Sequence, residues 1–243
     1  MDFKELTFTF EDGIILIEMN TADNRNTLGS TLLSELVDAF DLVKEEKDAK
    51  ILILSGSGRT FSIGADIVEM ETLNSQGLNN FIRKGQIVIQ ALMSLAIPSL
   101  AAVNGLALGG GFELALACDM RWAHKRAAFG FPECKHQLIP AWGGIQLLRL
   151  HAAPSLQTEL LLSGDRLNAQ TAYQIGLVTH LFEGRDFIIQ VKDASQRFLS
   201  NDLPVLKAFK KFIARKSDLE KEFTETISIF HELWFDRNRK PED

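Results

Sequence analysis

The chain is poor in the residues and runs that would place it outside a reducing compartment or in a membrane. Among 243 residues there are only two cysteines, Cys118 and Cys134, without paired or metal-type spacing. That excludes a disulfide framework and points to a reducing cytoplasm. No apolar run is long and uncharged enough to span a bilayer. The opening Met-Asp-Phe-Lys-Glu-Leu-Thr-Phe has neither an uninterrupted apolar stretch nor an Arg-rich amphipathic character, so no signal or transit peptide is expected there. Positive charge is not in excess. The net charge of −6 gives no general attraction to nucleic acid or to an anionic membrane. The five histidines form no H-E-x-x-H or Cys/His pattern, and neither a G-x-S-x-G elbow nor a P-loop is present. No metal site is expected.

What the chain has in quantity is apolar residues, 46% of the total, enough for one substantial core. Thr7–Phe10 and Ile14–Met19 flank an Asp12-Gly13 pair that reads as a hairpin turn. Leu32, Leu33, Leu36, Val37, Phe40 and Val43 have a helical period, with Ser30 and Thr31 as candidate caps. Ile51-Leu52-Ile53-Leu54 is a continuous apolar run of the kind a buried strand carries. A helix is predicted over 76–95 and a strand over Ser99–Val103. Strand and helix continue to alternate until about Phe182. Helices are then predicted over 186–200, 203–216 and 218–236. The expected division is an α/β core over 1–185 and a helical region over 186–243 that packs on the core or on a neighbouring subunit. The basic group Lys207, Lys210, Lys211, Arg215 and Lys216 reads as a solvated helix face, with a contact to ligand phosphates as the alternative.

The densest information lies in Leu106–Asp119, where three glycines, Gly109, Gly110 and Gly111, open a short apolar helix with Glu113 in its first turn. Glycines let another molecule lie against the backbone, and the free N–H groups of a helix start face it. Those donors suit a developing negative charge, and a carboxylate beside them suits proton transfer. The glycines do not have the G-x-G-x-x-G dinucleotide spacing. Three further segments accompany this one. Phe61-Ser62-Ile63-Gly64-Ala65-Asp66-Ile67 follows a strand, and its plain reading is a turn capped by Asp66. Phe131-Pro132-Glu133 has ordinary helix-start chemistry. Ile139-Pro140-Ala141-Trp142-Gly143-Gly144 is a turn into an apolar helix. Each has a scaffold reading when taken alone; their order and spacing together do not.

In that ordered set, joined by Asn24-Arg25-Asn26-Thr27-Leu28, Asn104-Gly105 and Cys118-Asp119, the chain resembles the enoyl-CoA hydratase/isomerase (crotonase) family over nearly its whole length. The resemblance implies an α/β fold, a spiral of strand-strand-helix repeats ending in helices that build trimers, often paired as hexamers. It implies an acyl-CoA thioester as ligand and no metal or redox cofactor. The backbone N–H groups of Ala65 and Gly110 would form the oxyanion hole. Arg25, Ala65, Asp66, Ile67, Val68, Gly110 and Trp142 would contact substrate, with Ala65–Val68 along the adenine and pantetheine path. Val68 occupies a position where many relatives carry lysine. The 133–138 segment is unusually polar, which brings His136 and Gln137 near the expected acyl pocket. An acidic-Gly turn usual before the last helix is missing between Phe230 and Lys240.

Hydratases of this family are similar to a two-glutamate design, and both positions are filled here, by Glu113 and, 20 residues later, Glu133. The expected roles are water activation by Glu113 and protonation of the α carbon by Glu133, in fatty acid metabolism. The same oxyanion hole also suits decarboxylation of a malonyl-type thioester. Glu133 alone suits a Δ3-Δ2 isomerase, and an acyl-carrier-protein-bound substrate fits the same site. A non-catalytic RNA binder is disfavoured by the acidic balance and the lack of a basic stripe carrying aromatics.

Overall fold

Asp12 and Gly13 both take positive φ, 49° and 82°, and close a two-residue turn in which Glu11 pairs with Ile14. This is the geometry that Asp-Gly favours between two twisted strands. In a computed structural model of the chain, of which residues 2–213 and 219–237 are described, the hairpin starts a spiral. It comprises β1 (Leu6–Glu11) and β2 (Ile14–Met19), and is followed by β3 (Thr27–Leu28) and α1 (Ser30–Glu45). The second turn contains β4 (Ile51–Gly56), β5 (Thr60–Ser62), β6 (Gly64–Ala65), α2 (Ile67–Thr72) and α3 (Ser75–Met93). The third is β7 (Ser99–Val103), β8 (Leu106–Leu108) and α4 (Gly110–Ala117). The fourth is β9 (Met120–His124), β10 (Ala128–Gly130), a 3-10 turn over Pro132–His136, and α5 (Gly144–Leu148). Next come α6 (Pro154–Ser163), β11 (Arg166–Asn168), α7 (Ala169–Gln174) and β12 (His180–Phe182). The chain then turns helical in α8 (Phe187–Leu199), α9 (Leu203–Ile213) and α10 (Leu219–Arg237).

Successive turns contribute to the same layers. The larger sheet has the order β1-β2-β4-β7-β9-β12, parallel except for the hairpin. A second sheet runs β11-β10-β8-β5, and β3 pairs with β6. The apolar run Ile51–Leu54 shows why the large sheet reads as continuous hydrophobicity. Leu52 and Leu54 point into the main core, whereas Ile51 and Ile53 point the other way, under Phe187 and Val191 of α8. Side chains alternate along a strand, so a sheet covered on both faces needs apolar residues at every position.

Two motif residues stitch the turns together. Asn26 is fully buried and its Nδ2 donates to the Thr60 carbonyl at 2.8 Å. Asn104 does the same at the end of β7, donating to the carbonyls of Gly56 at 2.7 Å and Gly58 at 3.1 Å. Each satisfies backbone carbonyls that the ladder leaves open at strand ends.

The structure corrects two local readings. Neither Ser30 nor Thr31 caps α1. Gly29 holds the cap position without a side-chain bond, and the Ser30 N–H is taken at 2.8 Å by the Glu69 carboxylate of α2. A residue 39 positions away does the capping, which no local pattern reveals. Lys210 is likewise no solvated or phosphate-binding lysine. It is 5% exposed on α9 and its Nζ donates to Asp119 at 2.6 Å, the same carboxylate that accepts the Ser99 N–H at 2.7 Å. Arg215 and Lys216 lie outside the described residues, as do 214–216 and 218 of the expected helices. The Cys118-Asp119 motif therefore anchors α9 to the sheet. Removing one partner of a buried pair leaves an uncompensated charge, so Asp119→Asn is expected to destabilise the fold by about 3–5 kcal/mol. Urea unfolding should show this as a lower midpoint, partly restored by adding Lys210→Met.

Candidate active site

Glu113 lies on α4 between Phe112 and Leu114, on a helix whose every residue is buried. It is 2% exposed. An isolated buried carboxylate is strongly disfavoured unless hydrogen-bonded or protonated. Here Oε1 accepts the backbone N–H groups of Trp142, at 2.9 Å, and Gly144, at 2.7 Å. Burial raises its pKa from 4.5 to about 7, the two N–H groups opposing but not cancelling it.

The second carboxylate comes from the following turn of the spiral. Pro132 starts the 3-10 turn and sets Glu133, half-buried, against the glycines before α4. Gly109, the cap of α4, has φ 51° and ψ −127°, a conformation closed to ordinary L residues. A Cβ there would also fall 2.9 Å from Glu133 Oε1. The other oxygen, Oε2, is enclosed and has no hydrogen-bond partner among the described residues. Burial first, and the nearby Glu113 charge second, hold Glu133 well above the usual carboxylate range. Glu113 accepts two amide hydrogens and Glu133 Oε2 accepts none, so a proton shared by the pair rests on Glu133.

Both carboxylates line one cavity of about 110 Å³, together with Gly64, Ala65, Gly109 and Gly110. Gly64 and Gly110 meet backbone to backbone: a Cβ on Gly64 would sit 3.1 Å from the Gly110 nitrogen. Gly110 is the first residue of α4, where N–H groups have no partner within the helix. The remaining wall is mostly apolar, with Phe81 and Ile82 of α3, Leu138, Ile139, Trp142 and Phe230 of α10.

The residues expected from sequence divide into two groups. Glu113, Glu133, Ala65, Gly110, Ile67 and Trp142 come together around the cavity, and His136 joins them. Arg25, Asp66 and Val68 do not line it. The Asp66 carboxylate caps α2 by accepting the Glu69 N–H at 3.0 Å. Val68 is 75% exposed, and exposed Arg25 holds the Ile63 N–H through its carbonyl at 3.2 Å. Gln137 ends the 3-10 turn in a left-handed conformation, exposed, and also stays outside. Sequence reasoning missed Phe81, Ile82, Met70 and Phe230, which as apolar helical residues are indistinguishable from core. It also missed Gly85. A glycine inside the amphipathic α3 was the available signal: a Cβ there would lie 2.1 Å from the Trp142 ring. Among the described residues, no group of three His, Cys, Asp or Glu side chains is arranged to hold a metal ion, and no helix is long and apolar enough to cross a membrane.

The sequence profile of the enoyl-CoA hydratase/isomerase family matches residues 9–239. A crotonyl-CoA hydratase from Syntrophomonas wolfei is 35% identical over 201 residues, spanning 82% of this chain and 77% of that protein. A mitochondrial methylglutaconyl-CoA hydratase from Mus musculus is 40% identical over 172 residues, 70% of this chain but only 55% of that protein. The chain thus spans about half the length of that relative. The crystal structure of an enoyl-CoA hydratase from Bacillus anthracis matches with a TM-score of 0.84 at 27% identity, covering 96% of this chain and 92% of that one. The fold is the crotonase-like spiral. The chain belongs to the enoyl-CoA hydratase/isomerase family.

Two outcomes follow from the packing and from the Glu113 environment. Gly85→Ala improves helix propensity by up to ~1 kcal/mol, yet overpacking against Trp142 is expected to outweigh it and destabilise the protein by about 1–2 kcal/mol net, read from thermal or urea unfolding. The folded state also holds a Glu113 proton that the unfolded chain releases near pH 4.5. Its contribution to stability is full below pH 4.5 and is lost as pH rises through about 7. The stability of Glu113→Gln relative to wild type should therefore increase from pH 5 to pH 8 in urea unfolding.

Proposed function

We propose that this enzyme is a 2-enoyl-CoA hydratase, adding water across the 2,3 double bond of an acyl-CoA thioester. The observation that carries the reading is the convergence of Glu113 and Glu133 in one apolar cavity against the Ala65 and Gly110 backbone. Hydration needs a base for water, an acid for the α carbon, and a site for the charge that passes through the thioester oxygen. The unequal surroundings of the two carboxyls suit the first two: the amide hydrogens of Trp142 and Gly144 favour the ionised form of Glu113 as pH rises through about 7, while Glu133, held well above the usual carboxylate range, keeps its proton.

In this mechanism Glu113 removes a proton from water as its oxygen bonds to the β carbon. The double-bond electrons shift to give an enolate whose oxygen receives the N–H groups of Ala65 and Gly110. One such preorganised donor is worth about 3–4 kcal/mol of barrier. Glu133 then gives its proton to the α carbon. Water has been added, Glu113 is left protonated and Glu133 ionised, and transfer of one proton between them resets the site. The same arrangement serves the reverse dehydration. The similarity to a crotonyl-CoA hydratase supports this reading.

We also propose that the protein works in the cytoplasm as a homotrimer or hexamer, without a metal or redox cofactor. The exposed apolar side chains Val205 and Phe209 of α9 and Ile229 and Phe235 of α10 support such assembly.

The test is loss of the conjugated enoyl-thioester absorbance of crotonyl-CoA. Wild type should consume it, and Glu113→Gln and Glu133→Gln should each reduce kcat about 10²–10⁴-fold. Full activity in either variant would rule out the two-carboxylate mechanism. No consumption by wild type, with CoA still bound, would point to decarboxylation, isomerisation or a carrier-bound substrate.

A further inference from the structure

We infer that Trp142 is the residue that limits acyl length, closing the cavity behind Gly110 so that it favours short, apolar acyl groups. This rests on the reading of the cavity as an acyl-thioester site and adds to it the substrate's size class. Trp142 is 4% exposed, and its indole is pressed between two helices. A Cβ on Gly85 of α3 would fall 2.1 Å from the ring, and one on Gly110 of α4 would fall 2.3 Å from it. The ring therefore fills the space that ordinary side chains at both positions would have taken. Phe81 braces it with ring centroids 6.0 Å apart.

The indole is also fixed from its own backbone. The Trp142 N–H donates to Glu113 at 2.9 Å, and the carbonyl of Ala141, just before it, accepts from the buried Gln86 of α3 at 2.8 Å. With the backbone tied down on both sides and the ring wedged against Gly85, Gly110 and Phe81, the side chain has little room to swing out to admit a longer chain. A wall held this way acts as a fixed stop.

The space it leaves is bounded and largely apolar. The cavity measures about 110 Å³. Apart from the two glutamates, the side chains around that space are mostly apolar, Phe81, Ile82, Leu138 and Phe230 among them.

The experiment measures affinity for saturated thioesters, butanoyl-, hexanoyl-, octanoyl- and decanoyl-CoA, by calorimetry, with free CoA as reference. These compounds have no double bond to hydrate, so the result is independent of whether the protein proves to be a hydratase. Wild type should bind octanoyl-CoA at least 10-fold more weakly than butanoyl-CoA. Trp142→Leu, keeping the backbone bonds to Glu113 and Gln86, should erase that discrimination, read as the ratio of butanoyl-CoA to octanoyl-CoA affinity. Trp142→Phe should shift the limit by one or two carbons, and serves should the leucine variant fail to fold. Equal affinity of wild type for butanoyl- and octanoyl-CoA would overturn the inference. So would a wild-type length profile retained in the folded Trp142 variants.

Discussion

Glu113 is the only charged residue on an otherwise apolar α4, and the backbone that shelters its carboxylate organises the region around it. Two N–H groups from the 139–144 turn converge on one oxygen, since a buried carboxylate without donors is strongly disfavoured. Satisfying it fixes the path of that turn, and the path fixes Trp142 against α3 and α4. The same charge helps keep a proton on Glu133. A single buried group thus links backbone course, pocket shape and protonation state.

The spiral makes this possible by placing successive turns in register. Each of several turns puts one strand in the large sheet and one in the smaller sheet, so that loops distant in sequence stack beside one another. Glu113 arrives from the third turn, Glu133 from the fourth, Ala65 from the second and Phe230 from the last helix. Buried asparagines at the strand ends and the Asp119–Lys210 pair hold these turns and α9 in place without entering the site. Residues belonging to one sequence signature therefore separate into those that frame the chemistry and those that hold the frame.

Electrostatics then distinguishes two residues of identical type. Glu113 and Glu133 start from the same ordinary pKa and are both raised by burial. One is met by two amide hydrogens, and the other has an oxygen with no partner among the described residues. A pair of carboxyls pushed apart in this way can hold base and acid at the same pH, a division that rests on hydrogen-bond supply and on their mutual repulsion.

Much of this was legible in the linear chain. Alternation and turn chemistry are local, so the Asp12-Gly13 hairpin, the buried strand at Ile51–Leu54 and the glycine-led helix at Gly110 could be read directly. The order and spacing of the motifs carried the family and both carboxylates. What only the tertiary structure decided was which distant groups meet. Glu69 caps a helix that Ser30 was expected to cap, Lys210 is buried on Asp119, and Gly85 makes room for an indole 57 residues away. Arg25, Asp66 and Val68 stand outside the cavity while Phe81 and Phe230 line it. Hydrophobic periodicity states that a face is buried, but not what lies against it. That is set by how the turns of the spiral stack, through contacts between residues that no local pattern relates.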